Sequence, residues 1–346
     1  MRTTVALVEA RPETIGEDYR RVLDLSGLSN LLAGEVPHLL VGTGNKGFEP
    51  GWSATPWQMH GILNWLGKLA EGAMAAAVTK GGIGPLPVST LWQDILTSHQ
   101  TRPAEPEFLR SHRHVSQQLH PALDTALPAG VQVPVGLAEG PVLVLTSPTT
   151  RAGWEMAGAA EVLQNLVTAG ASGGRKAPAV EVTAEAVGVA RELMPRLGAV
   201  LDGTLWGVGR GAGDRSCVAR NVLLAGTDPV AVDAVALRLA GIEPQRVPWM
   251  RLCRDRGFGQ VMPTEIQIVG RTDLLDLDFG VSGLELGSEN LGSGKMTGGQ
   301  IAIGPVTRFI DRALGRKTGT GLADTVWNRL YEEYEAGERV GMTGTL

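Results

Sequence analysis

Apolar positions along the chain switch between short continuous runs and helical spacing. Thr4–Ala10 is apolar and β-rich and predicts a first strand, with a helix after it over Glu13–Leu25. His38–Gly42, entered from Pro37, predicts a short buried strand that leads into the loop Thr43-Gly44-Asn45-Lys46-Gly47. Thr55-Pro56 reads as a helix cap with proline at the first helical position, and Met59, Leu63, Leu66 and Leu69 recur at spacings of three and four. Pro85–Ala126 has weak periodicity and predicts helices over Val88–Leu96 and Pro106–Leu119. Gly130–Val135 and Gly140–Leu145 read as strands, Trp154–Val167 and Val182–Met194 as helices, and Ala171–Ala177 as a glycine-rich loop.

The clearest stretch is Gly198–Gly270. It predicts a strand at Ala199–Leu201, a glycine-rich loop over Asp202–Gly213 and a strand at Ala219–Leu224. Helices follow over Asp228–Leu239 and Val247–Arg256, with a closing strand at Glu265–Val269. Strands alternating with helices of this length argue for an α/β fold, a mixed or parallel layered sheet with flanking helices. The organisation expected is an α/β core over 1–275, in one or two lobes with a histidine-rich insertion near 85–126. A glycine-rich C-terminal arm over 276–346 carries helices at Ile303–Leu314 and Leu322–Tyr334, and covers the core or a neighbouring subunit.

Composition narrows the function classes. Lys plus Arg number 31 against 36 Asp plus Glu, a net charge of -5 without any long basic run, which argues against nucleic-acid binding. Cys217 and Cys253 form no CxxC pair, so a disulfide framework or an iron–sulfur site is not expected and a reduced, cytoplasmic compartment fits. The apolar run Val5–Val8 ends at Glu9 too early for a signal peptide, and the stretch Ala70–Val78 falls short of the ~20 residues a membrane span needs.

Several residues are candidates for chemistry. Asp228 before Pro229 suits a helix cap. Asp233 is odder, because Val230, Val232, Val235 and Leu237 surround it and a buried carboxylate needs a cavity, a cation or polar partners. Gly207, Gly209, Gly211 and Gly213 alternate around Arg210, as an anion-cradling loop would, and Asp202 precedes them at a strand end. Thr43–Gly47, Thr79-Lys80-Gly81-Gly82 and Ser172-Gly173-Gly174-Arg175-Lys176 each set a cation beside glycines without the Walker spacing. Together they point to an anionic small ligand. His112, His114 and His120 suggest metal ligands only if they lie on a strand; on a helix they read as a solvated face. Gly170–Gly174 matches Gly-x-Ser-x-Gly but follows a helix and has no histidine after it, so it reads as a loop. Trp52, Trp57 and Trp65 cluster near the first glycine loop and Trp206 lies in the second, as core or as walls for a planar ligand.

The Asp202-Gly203 strand end, the block Asn221–Ala234, the Gly257-Phe258-Gly259 turn and the closing Glu265–Gly270 strand resemble the family filed as domain of unknown function 362. The resemblance is strong over Gly198–Gly270 and looser over Pro37–Gly198. There Asn45-Lys46 is similar to the family's Lys-Pro-Asn element, and Leu163-Gln164-Asn165-Leu166 to its Lys-Asn-Leu-x-Gly segment. Ser147–Arg151 stands where the family has Lys-x-Lys-x-His, and the chain has none of the cysteine-rich ferredoxin segments of many relatives. The resemblance implies a redox or redox-linked reaction with electrons from an external donor or a bound cofactor, and no settled reaction.

The expectation is therefore a crevice lined by Asn45, Lys46, Asn165, Asp202, Gly209, Arg210, Gly211, Asp228 and Asp233. The function expected is an enzyme acting on a small anionic metabolite, with Asp233 and Asp202 as acid/base groups or holding a cation and Lys46 and Arg210 holding the substrate anion. A non-catalytic cofactor- or ligand-binding or assembly protein is the alternative. The sequence names no cofactor or metal and leaves a homo-oligomer open.

Overall fold

The computed structural model describes residues 2–32, 34–43, 48–69, 73–79, 82–86, 90–103, 112–115, 131–150, 158–169, 179–211, 214–276 and 322–339. In chain order, β1 (Thr3–Glu9) is followed by α1 (Ile15–Leu25), α2 (Leu28–Leu32), β2 (His38–Gly42), α3 (Pro56–Leu66), β3 (Met74–Thr79) and β4 (Gly82–Gly84). Then come α4 (Thr90–Ser98), β5 (Arg102–Pro103), β6 (His112–Val115), β7 (Val131–Pro134), β8 (Val142–Thr146) and β9 (Thr149–Thr150). After α5 (Ala159–Ala169) and α6 (Ala179–Leu193), two long strands follow, β10 (Leu197–Gly211) and β11 (Asp214–Gly226). The rest is α7 (Pro229–Leu239), α8 (Pro248–Asp255), β12 (Ile266–Gly270) and α9 (Asn328–Glu335).

One mixed sheet organises these elements, in the order β12-β1-β11-β10-β8-β2-β3-β4. Its centre is parallel, since β10 with β8, β8 with β2, and β2 with β3 all run the same way. β11 is antiparallel to both its neighbours, β10 and β1. Continuous burial along Val5–Val8 and Val142–Leu145 follows from layers on both faces. Leu7, Leu40, Val144 and Leu201 face α5, α6, α7 and α8, whereas Val8, Val41, Leu145 and Val200 face α1, α2, α3, α4 and α9. No helix among the described residues is long and apolar enough to cross a membrane.

Two sequence expectations change. Asp202–Gly213 is not a loop, because β10 runs through to Gly211 and pairs with β11, with register shifts after Gly203 and Gly209. The alternating glycines have the period of a strand. A Cβ at Gly207 would strike the Gly51 carbonyl oxygen, and one at Gly203 would lie 2.7 Å from Val222 Cγ2. These glycines serve close backbone approach rather than loop freedom. His112 and His114 lie on strand β6, paired with β7, and not on a helix. The rest of the expected 106–119 helix, His120 and all three histidine side chains of that cluster lie outside the described residues, as do Gly170–Gly174 and the Ile303–Leu314 helix. The Trp154–Val167 helix is described from Ala159 onwards.

Candidate functional site

Asp233 is fully buried on α7. Its Oδ1 accepts the Ala159 N–H and its Oδ2 the Ala160 N–H, both at 2.9 Å. The carboxylate of one helix thus caps another, satisfying amides that the first turn of α5 leaves free. Gly158 makes room for it, since a Cβ there would overlap Asp233 Oδ1 and sit 3.1 Å from Cγ. Burial pushes the Asp233 carboxyl up to about 7 against those two donors, helped by the charges of Asp228 and Glu161. Gly158→Ala is expected to lose about 1–3 kcal/mol by displacing this cap, as measured by chemical denaturation.

Asp228 caps α7, as its place before Pro229 implies, through Val230 N at 3.0 Å and Ala231 N at 3.3 Å. Its Oδ2 accepts from Gln260 N at 3.0 Å, and Arg191 Nη1 lies 2.8 Å from Oδ1.

Asp202 is fully buried on the opposite face of the sheet from Asp233. Tyr19 Oη donates to it at 2.7 Å, Thr204 N at 2.8 Å and Thr204 Oγ1 at 2.5 Å, and Thr55 Oγ1 donates as well. Thr55 is at the same time the cap of α3, accepting from Gln58 N at 3.0 Å, while Trp57 Nε1 donates to Thr204 Oγ1 at 3.1 Å. Burial raises the Asp202 carboxyl and these four donors lower it. The side chain ties α1, the start of α3 and β10 together.

The expected single crevice therefore does not form among the described residues. Asp202 and Asp233 are separated by the sheet, and both have their oxygens filled. Gly209, Arg210 and Gly211 lie at the hairpin end of β10, seven or more residues along the strand from Asp202, roughly 20 Å at strand rise. Asn165 is half-buried on α5, beside a buried Gln164 that accepts from Thr183 Oγ1 at 2.7 Å. Asn45 and Lys46 lie outside the described residues. Trp57, a proposed ligand wall, stacks on Trp327 with centroids 5.3 Å apart. Trp52 donates to Ser216 O at 3.0 Å, and Trp206 is in the core.

A different place has the geometry of a binding site. β2 leads through α3 on one face to β3, and β8 leads through α5 and α6 on the other face to β10. The chain leaves these adjacent parallel strands in opposite directions, which makes their carboxyl ends a topological switch point. Leu145 lies level with Val41 and Val200, and Val78 with Gly42. One step beyond the last paired row come Thr43, Ser147 and Thr79 at the ends of β2, β8 and β3, level with Asp202 within β10.

Thr43 is 9% exposed, and its hydroxyl has no hydrogen-bond partner among the described residues. The Thr146 hydroxyl, 2.7 Å from where a Gly42 Cβ would stand, has among the described residues a 3.5 Å contact to Ser147 O and no shorter one. Ser147 Oγ donates to Ser53 O at 2.8 Å, fastening the segment after β2 to the end of β8. Sequence reasoning missed these hydroxyls, although a threonine directly follows or ends each apolar run at Val41-Gly42, Val78 and Leu145. It also missed His60, fully buried on α3, whose Nε2 is unpartnered among the described residues, as is the buried Nε2 of His99. Two imidazoles fall short of the three or four ligands of a zinc site, and no group of three metal-binding side chains occurs among the described residues. A scan against family models, a search of curated proteins and a search of solved structures each found nothing that matches this chain.

Proposed function

We propose that this chain binds a small anionic metabolite at the switch point between β2 and β8. The observation that carries the reading is the Thr43 hydroxyl, nine-tenths buried and without a partner among the described residues at the carboxyl end of a central parallel strand. A buried hydroxyl left unpaired costs about 1–3 kcal/mol, and a bound oxyanion would accept its proton. Thr146 supplies a second hydroxyl with no more than a long contact among the described residues, and the sequence sets the glycine–cation runs 44–47 and 80–81 directly after Thr43 and Thr79.

Binding is favoured over catalysis by Asp202 and Asp233. Both carboxylates are sealed from solvent and fully engaged in holding the fold. Cys217 and Cys253 make no dithiol, because they pack on opposite faces of the sheet. Burial pushes the Cys217 thiol up to about 11 and that of Cys253 higher still.

Thermal-shift titrations with inorganic phosphate, pyrophosphate and citrate test the reading on the wild type and on Thr43→Val. At least one of these anions stabilises the wild type. Thr43→Val keeps the shape and removes an unpaired hydroxyl. It raises the stability of the free protein by about 1 kcal/mol and weakens anion binding about 10-fold or more. Equal anion affinity in the two proteins, or no stabilisation of the wild type by any of the three, overturns it.

A further inference from the structure

The described part of α9 reaches the core through a few side chains. Trp327, just before the helix, stacks on Trp57 and donates Nε1–H to Asn221 Oδ1 at 2.8 Å. Asn221 accepts from a left-handed backbone conformation, φ 57°. Tyr331 stacks on Phe48 with centroids 5.1 Å apart, and Leu330 and Tyr334 are buried beneath the helix. The polar fastening between α9 and α3 is a 2.8 Å hydrogen bond between the Tyr334 hydroxyl and His60 Nδ1. In sequence, residues 277–321 separate α9 from the rest of the described core.

His60 sits where a proton on each ring nitrogen cannot be satisfied among the described residues, because only Nδ1 has a partner. Its Nε2 is buried without a partner among the described residues, and its ring meets that of His99 at 5.1 Å, an arrangement that sets two imidazoles against each other. From α9 it faces Tyr334, and just beyond that helix Arg339, itself held by Glu333 at 2.7 Å. Across α3 lies the Tyr19–Asp202 pair, whose carboxylate is already fully occupied by donors. Among the described residues no acidic group is placed to receive an imidazolium, and two of the neighbours, His99 and Arg339, are bases.

We propose that α9 is a detachable latch, held on the α3 face by Trp327 and Tyr334 and released when His60 takes up a proton. Burial first, then His99 and Arg339, lowers the docked His60 to about 4, whereas a solvated imidazole titrates near 6.5. A group depressed in the docked state contributes its full holding effect above the free value and loses it as pH falls towards the docked value. Docking is therefore intact at neutral pH and weakens between about 6.5 and 4. One such group weakens it about 30-fold on going from pH 7.5 to pH 5.0. Release uncovers Phe48, Trp57 and His60 and leaves the sheet unaltered.

Hydrogen-exchange mass spectrometry of the full chain reads the latch even when the open form is rare. After correction for intrinsic exchange rates, protection of the amides in 328–335 falls about 30-fold between pH 7.5 and 5.0, while β1 and β8 keep theirs. In His60→Gln the α9 amides lose most of that fall. Tyr334→Phe, which keeps the ring and removes the hydrogen bond to His60, starts less protected at pH 7.5; if His60→Gln does not fold, wild-type protection of α9 in Tyr334→Phe overturns the proposal. Protection of α9 that is unchanged by pH, that falls in step with β1 and β8, or that falls equally in His60→Gln overturns the proposal.

Discussion

Replacing Asp202 by alanine is expected to destabilise the protein by about 3–5 kcal/mol, the range for breaking a buried, charged hydrogen-bond network. Four donors converge on this carboxylate from Tyr19, Thr55 and Thr204. The hydroxyls can turn away in part, but the Thr204 N–H is fixed by the strand and loses its partner in a buried site. Thr55 would also lose the restraint that aims it as the α3 cap, so the damage spreads to the start of that helix. Urea denaturation of wild type and variant, compared at equal m-value, measures the difference. A loss below about 1 kcal/mol would mean that Asp202 is not the hub of this network.

The second large effect is at Asp233. Asp233→Asn keeps the size but offers one acceptor where two N–H groups of α5 need acceptors. The Asn NH2 would then face a backbone N–H. The expected loss at pH 7 is about 2–4 kcal/mol, combining an unsatisfied buried donor with a damaged helix cap. The pH dependence carries a sign. Asp233 is raised in the folded chain to about 7 from a reference of 3.8, so the folded state binds the proton more tightly than the unfolded state. Its contribution is fully present below the unfolded value and is lost as pH rises through about 7. The wild type therefore gains stability relative to Asp233→Asn between pH 7 and pH 5, as chemical denaturation at the two pH values would show. A gap between the two proteins that is flat or shrinks towards pH 5 contradicts the burial of this carboxyl.

These two carboxylates mark where sequence reading stops. That an acid among Val230, Val232, Val235 and Leu237 must be compensated follows from the sequence alone. That the compensation comes from the amides of Ala159 and Ala160 does not, because the contact spans 74 residues and backbone N–H groups have no letter in a sequence. Local signals were read correctly where they were local. Thr55-Pro56 and Asp228-Pro229 both start helices with their side chains as caps, and the apolar run at His38–Gly42 is a central strand. The glycines of 203–211 were legible as glycines but not as a strand, since what holds them flat is the approach of Gly51 and Val222 from distant positions. The hydroxyls at the ends of β2 and β8 were present in the letters as Thr43 and Thr146 closing apolar runs. They gain meaning only when the sheet order sets β2 beside β8 and sends their helices to opposite faces. The docking of α9 was invisible for the same reason, because Tyr334 and His60 are 274 residues apart.

The proposed anion site lies at the ends of β2 and β8, away from Asp228 and Asp233. An NMR titration of 15N-threonine-labelled protein with the most stabilising of phosphate, pyrophosphate and citrate tests it most directly. The amides of Thr43 and Thr146 should shift along one saturable curve while those of Thr183 and Thr227 stay in place. Shifts concentrated at Thr227, next to Asp228, with Thr43 and Thr146 unmoved, would contradict it.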